Sequence, residues 1–286
     1  MKRLALILAV LTLAAVPATA KPMRNPEPKI VIPSIAPLTA TYDVYVGGVH
    51  LMQANIVFQE QGADYRARVT GHTYGIWYRL VPWDTELKVS GKMQGDHFVP
   101  AEFYTRDVWY HKPRTTWIHF KKDGDVTTDF DPPNKDKNRE EITIDQRRGS
   151  LDPVTGLLQL LAHIAVYKDC DVTVPIFEGR RRFDITGTDD GFDTLGEDDY
   201  NAFKGEARTC NAAFAMVAGE WKDRPPDRFW TRNGKENERE PFHIWLGKLS
   251  PELPELPVRL ETGSVWGNII MHMSAWHYAT KDEVNN

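Results

Sequence analysis

The sequence predicts a mainly β protein: a large, curved antiparallel sheet, open or incompletely closed into a barrel-like shape, with one mid-chain α-helix. Three observations lead there. Apolar and polar residues alternate with period two in run after run, as in Met52, Ala54, Ile56 and Phe58 against Gln53, Asn55 and Gln59. Hairpin-type dipeptides separate the runs: Gly47-Gly48, Gln61-Gly62, Gln94-Gly95, Asp123-Gly124 and Glu178-Gly179. One segment alone, near the middle, switches to helical spacing.

Taken in order, the chain opens on Lys2 and Arg3, an apolar run from Leu4 to Val16, and small residues at Ala18-Thr19-Ala20. These are the parts of a secretory signal peptide, so residues 1–20 are expected to be cleaved after Ala20 and the remainder exported to the periplasm. The run is about 13 residues long, short of the roughly 20 that a spanning helix needs, and no later segment comes close. A chain that does not span the membrane is expected, and no cysteine follows the cut to carry a lipid anchor. Residues 21–37 hold five prolines and little periodicity, which reads as a flexible arm.

Residues 38–280 then form one barrel-like domain in two halves. Strand alternation recurs at Tyr65, Ala67 and Val69, at Thr116, Ile118 and Phe120, at Val172, Val174 and Ile176, at Phe183 and Ile185, and at Val258 and Leu260. The halves are divided by the charged, proline-containing stretch from Asp131 to Arg148, read as a surface loop. That loop leads into the helix. Asp152 is a good N-cap and Pro153 fits the first helical position. Leu157, Leu158, Leu160, Leu161, Ile164 and Ala165 fall at helical spacing up to about Tyr167. One helix among many strands is expected to plug a curved sheet, whose apolar mouth must be covered.

The composition, 41% hydrophobic and 26% charged, is that of a globular protein. The formal net charge is −5 and falls to about −7 once Lys2 and Arg3 are lost, so a nucleic-acid partner is not expected. The two cysteines, Cys170 and Cys210, lie in the exported part and lack C-x-x-C spacing. One disulfide between them is expected.

The densest chemical feature is aromatic. Tyr74, Trp77, Tyr78 and Trp83 are the candidate ligand-binding residues, since aromatic rings in a barrel mouth stack on sugars or line apolar cavities. Core packing is the competing role. Met271, His272, Met273 and His277 have the softness of copper ligands, but strand periodicity sends His272 away from the two methionines, and no metal site or cofactor is expected. Asp189, Asp190, Asp193, Glu197, Asp198 and Asp199 do not match the EF-hand template and read as a solvated loop inside the disulfide loop. Arg180, Arg181 and Arg182 read as salt-bridged or solvated cations. Gly263-Ser264-Val265-Trp266-Gly267 is not a nucleophile elbow, because the serine follows the first glycine directly. No catalytic residue is assigned.

Several short stretches occur in a suggestive order: Tyr42-Asp43-Val44-Tyr45-Val46-Gly47-Gly48, Ser90-Gly91 followed by Pro100, Leu151-Asp152-Pro153, Gly179-Arg180 and Pro257-Val258-Arg259. With them the chain resembles domain-of-unknown-function family 3108 of exported bacterial proteins, over roughly residues 38–278. The resemblance implies a periplasmic protein with a curved, incompletely closed β-barrel and brings no catalytic residues. The expected function is non-catalytic support of the cell envelope by binding an apolar or lipidic ligand, or a partner protein along an open edge. A hydrolase with a dispersed active site acting on an envelope polymer is the alternative expectation, and a purely structural partner protein without a pocket is a third.

Overall fold

The computed structural model describes residues 36–134, 138–197, 200–222 and 241–285. The expected signal peptide and all but the last two residues of the proline-rich arm lie outside them. Thirteen strands form one sheet in which every neighbouring pair is antiparallel. They are β1 (Leu38–Val46), β2 (Val49–Gln61), β3 (Asp64–Thr73), β4 (Trp83–Gln94), β5 (His97–Trp109), β6 (Lys112–Phe120), β7 (Val126–Asp131), β8 (Thr173–Phe177), β9 (Arg182–Leu195), β10 (Gly205–Ala218), β11 (Phe242–Lys248), β12 (Glu255–Ser264) and β13 (Gly267–Tyr278). The spatial order is β7-β6-β5-β4-β3-β2-β1-β13-β12-β11-β10-β9-β8. Two meanders, β1–β7 and β8–β13, are thus sewn together by the first strand pairing with the last.

The sheet is not closed, because β7 and β8 stand at its two ends without pairing to each other. Those ends nonetheless meet through side chains. A Cβ on Gly179, in the β8–β9 turn, would lie 2.9 Å from Thr116 Cγ2 and 3.7 Å from both Ile118 and Phe130. The Arg180 guanidinium sits 5.0 Å from the centre of the Phe130 ring. Phe177 of β8 shares a core cluster with Ile118 and Val126 of β6 and β7. The sheet therefore curls almost into a barrel, with a seam of packing in place of a seam of hydrogen bonds.

Among the described residues four helices accompany it: α1 (Trp77–Leu80), α2 (Ile144–Arg147), α3 (Pro153–Tyr167) and α4 (Lys281–Asn285). Only α3 is long, and it begins where the sequence places it. Asp152 Oδ1 accepts hydrogen bonds from the amides of Val154 (3.0 Å) and Thr155 (2.9 Å), with Pro153 at the first position. Lys168 ends the helix in the left-handed conformation (φ 64°). Helix α3 joins all three core clusters: Ala162 belongs to the first, Leu161 packs against the second, and Leu160 and Ile164 belong to the third. Gly156 permits its close approach to β8, since a Cβ there would collide with Ile176 Cδ1.

Cys170 and Cys210 are bonded, with their Cα atoms 5.9 Å apart. Two expectations need correction. Asp189, Asp190 and Asp193 lie in strand β9 and not in a solvated loop, while 198 and 199 fall outside the described residues. Pairing with β10 provides the reason: Asp189 bonds Arg208 of the neighbouring strand (2.9 Å) and Asp193 accepts from the Trp245 indole (3.1 Å), so the carboxylates decorate a sheet face. The Asp131–Arg148 stretch, read as loop, contains α2, which is closed by a capping box between Thr143 and Gln146.

Candidate functional site

Side-chain alternation gives each strand an inner and an outer face. On the inner face, Leu38, Ala40 and Tyr42 of β1 stand beside Ile56 and Phe58 of β2, Ala67 and Val69 of β3, Leu87 of β4 and Phe98 of β5. Helix α3 lies across these residues without filling the space. Between them is a cavity of about 280 Å³, bounded on the helix side by Pro153, Val154, Leu157, Leu158, Leu161, Ala162 and Ala165, and by Pro254, Leu256 and Pro257 at the start of β12. No charged side chain lines it. The one polar side-chain group among the lining residues, the Tyr42 hydroxyl, donates a 2.9 Å hydrogen bond to the Pro257 carbonyl. Burial raises the pKa of that phenol, which stays neutral.

The cavity has a rigid frame. The Tyr65 and Thr155 hydroxyls share a 2.8 Å hydrogen bond from β3 to the first turn of α3. Gln159 bridges to the β4–β5 turn, accepting from the Phe98 amide and donating to the Asp96 carbonyl, each at 2.9 Å. Gly91 leaves room for the Tyr65 ring, which a Cβ there would meet at 2.6 Å. Asp152 is fully buried, and its Oδ2 has no hydrogen-bond partner among the described residues. Burial pushes its pKa up to about 6 against the lowering effect of the Thr155 and Val154 hydrogen bonds.

None of the four sequence-predicted residues lines this cavity. Tyr74 and Tyr78 are exposed, and Trp77 starts the short helix α1, all in the β3–β4 connection. Trp83 is half-buried on β4, its ring next to Gly71 of β3. They stand at the opposite ends of the strands that hold the cavity. Sequence reasoning put Ile56, Phe58 and the helix leucines on apolar faces; that those faces stop short of each other is not a property of any one segment.

Elsewhere the residues weighed for other chemistry are engaged structurally. Met273 is fully buried, His272 sits across from Tyr45 (5.9 Å between rings), and His277 Nε2 is 3.0 Å from a Glu283 carboxylate oxygen. Among the described residues no group of three or more His, Cys, Asp or Glu is arranged to hold a metal ion. Arg181 pairs with Glu178 through two 2.9 Å bonds, and Arg182 with Asp184 at 2.7 Å.

The architecture and the ordered motifs meet in one comparison. A family model described as "Protein of unknown function (DUF3108)" matches residues 41–274, from β1 to β13. The chain belongs to this family. The match spans both meanders and the helix between them, so the family is defined over the whole curled sheet. No curated protein matches. Among solved structures, the chain is similar to a β-barrel-like protein of domain of unknown function DUF1849 from Brucella abortus, at 10% identity and a TM-score of 0.49, covering 87% of this chain and 100% of that one. It is also similar to a candidate lipoprotein from Parabacteroides distasonis, at 10% identity and a TM-score of 0.32, covering 86% and 97%. No helix among the described residues is long and apolar enough to cross a membrane.

Proposed function

We propose that the protein binds a single hydrocarbon chain or a compact apolar molecule, such as a lipid acyl chain, in the cavity between α3 and the inner face of β1–β5, without chemically altering it. The observation that carries this reading is the lining: nineteen residues, every one aliphatic, aromatic or proline. A volume of about 280 Å³ lies near the lower end of small-molecule sites, roughly 300–1,000 Å³. With no charged group inside, recognition rests on removing apolar surface from water and on shape. An envelope location in an exported protein fits the Cys170–Cys210 bond, which persists in oxidising compartments.

The test is saturable uptake of an environment-sensitive apolar dye, and of fatty acid as competitor, by the full chain. Ala165→Phe and Ala40→Phe fill the cavity from opposite walls. Both variants are expected to keep the circular-dichroism spectrum of the parent and to lose uptake. A parent that takes up nothing, or filled variants that bind as well as the parent, would sink the proposal in favour of a partner-binding role.

A further inference from the structure

The ends of the strands opposite the cavity carry an unusual surface. Four tips that neighbour one another in the sheet, β1–β2, β3–β4, β5–β6 and β12–β13, expose Val49, Tyr74, Ile76, Tyr78, Leu80, Trp109, Tyr110, Val265 and Trp266. Trp266 is 69% exposed, Ile76 62% and Trp109 51%, and it is their grouping into one patch that sets them apart from the scattered exposed apolar residues normal on a protein surface. The tips touch in sequence around the rim. Tyr110 donates its amide to the Pro82 carbonyl (3.0 Å) and its hydroxyl to the Leu80 carbonyl (3.0 Å). Tyr74 stacks on His50 at 3.9 Å, and the Gly47 amide bonds the Asn268 carbonyl at 2.9 Å, beside Trp266.

The β5–β6 turn adds a second sign. Tyr110 (φ 47°) and His111 (φ 62°) both hold left-handed backbone in a place where Asn-Gly or Gly-Gly is the low-energy choice. Strain of this kind, about 1 kcal/mol or more per residue, is retained where the side chains themselves are needed.

Charge decides what the rim fits. In a chain of formal net charge −5, these four tips carry exposed Arg79, Lys112, Arg114 and His111 among their aromatics. The acids at the same depth, Asp43, Asp84 and Asp107, are only half-buried rather than exposed, and each accepts a side-chain hydrogen bond, from Gln53 (2.9 Å), the Tyr78 hydroxyl (2.8 Å) and the Thr85 hydroxyl (2.6 Å), so the cations are the charges presented to solvent. Tryptophan and tyrosine prefer the headgroup level of a bilayer, and interleaved cations are attracted to anionic headgroups. We infer that this aromatic and cationic rim is a docking surface for an anionic phospholipid bilayer. The inference is independent of the cavity, which lies at the other ends of the strands.

Tryptophan quenching by brominated phosphatidylcholine vesicles, with and without phosphatidylglycerol, tests it on the full chain. Quenching is expected on the anionic vesicles and is expected to weaken with salt. The variant Arg79→Gln, Lys112→Gln, Arg114→Gln is expected to partition roughly 100-fold more weakly. The variant Trp109→Ser, Trp266→Ser is expected to lose most of the quenching while binding apolar dye as the parent does, which separates failure of the rim from failure of the cavity. Both variants carry the same N-terminal segment as the parent, so their difference from it reports the rim. Quenching equal in parent and variants overturns the inference. So does self-association that both variants abolish, without vesicle binding, which would assign the rim to a second copy of the chain.

Discussion

The two ends of the N-terminal meander treat the same residue types in opposite ways. At one end, Leu38, Phe58 and Phe98 are buried beneath a helix whose Ile164 is 1% exposed. At the other, Trp109 and Tyr110 are 51% and 48% exposed, as is Trp266 at the β12–β13 tip (69%). Strand propensity cannot tell the two ends apart, since aliphatic and aromatic residues favour strands equally. The difference comes from α3, which lies over the apolar residues at the first of these ends. Apolar surface at the helix end stabilises the fold, whereas apolar surface at the tips contributes little to folding and is available for contact with something else.

That contrast breaks if stability is distributed otherwise. Ile164→Ala is expected to cost about 2–5 kcal/mol in chemical denaturation, because it empties a fully buried site. Leu161→Ala, half-buried and already facing the cavity, is expected to cost less than about 2 kcal/mol. Equal losses would mean that the cavity collapses around α3 in solution.

The helix cap sharpens the comparison through pH. Burial raises the Asp152 pKa to about 6, above the value of about 3.9 expected in the unfolded chain. Between these values the native state holds a proton that the unfolded state has released. The associated stability is therefore fully present below about pH 4 and is lost as pH rises to about 6, by about 3 kcal/mol at most. Asp152→Asn keeps a good cap and is expected to flatten this window in denaturation midpoints measured from pH 4 to 7. A parent whose stability climbs through the same window would contradict the burial of the carboxylate.

The smallest effect belongs to the tips. Trp266→Ser is expected to change stability by no more than about 0.5 kcal/mol, since an exposed ring leaves no cavity behind. A melting temperature lowered as much as by Ile164→Ala would place Trp266 in a packed interface and remove the contrast.

Much of this architecture is legible in local patterns. Period two along Ile56 and Phe58 places both on the inner face, and Asp152 with Pro153 fixes the start of α3. Dipeptides such as Gln94-Gly95 stand at hairpin turns, with Gly95 in left-handed backbone (φ 68°). Asp189 to Asp193 mislead because acidic residues and glycines disfavour strands on average, while the pairing of Asp189 with Arg208 across β9 and β10 overrides that preference. The candidate site was legible in kind and not in place. Aromatic density draws attention to Tyr74, Trp77, Tyr78 and Trp83, yet the apolar cavity is lined by ordinary leucines, alanines and prolines.

By itself the sequence determined many of the strands and the start of α3, because alternation, turn chemistry and helix capping act over a few residues and are written there. It also determined that Cys170 and Cys210 had only each other to bond. Only the tertiary structure decided that β1 pairs with β13, that the ends of the sheet curl together at Gly179 and Phe130, and that Leu157 and Leu158 stop short of Leu38 and Pro254. A cavity is the space left when surfaces distant in the chain fail to fill each other, so its existence depends on the sum of packing across the molecule and on no single segment.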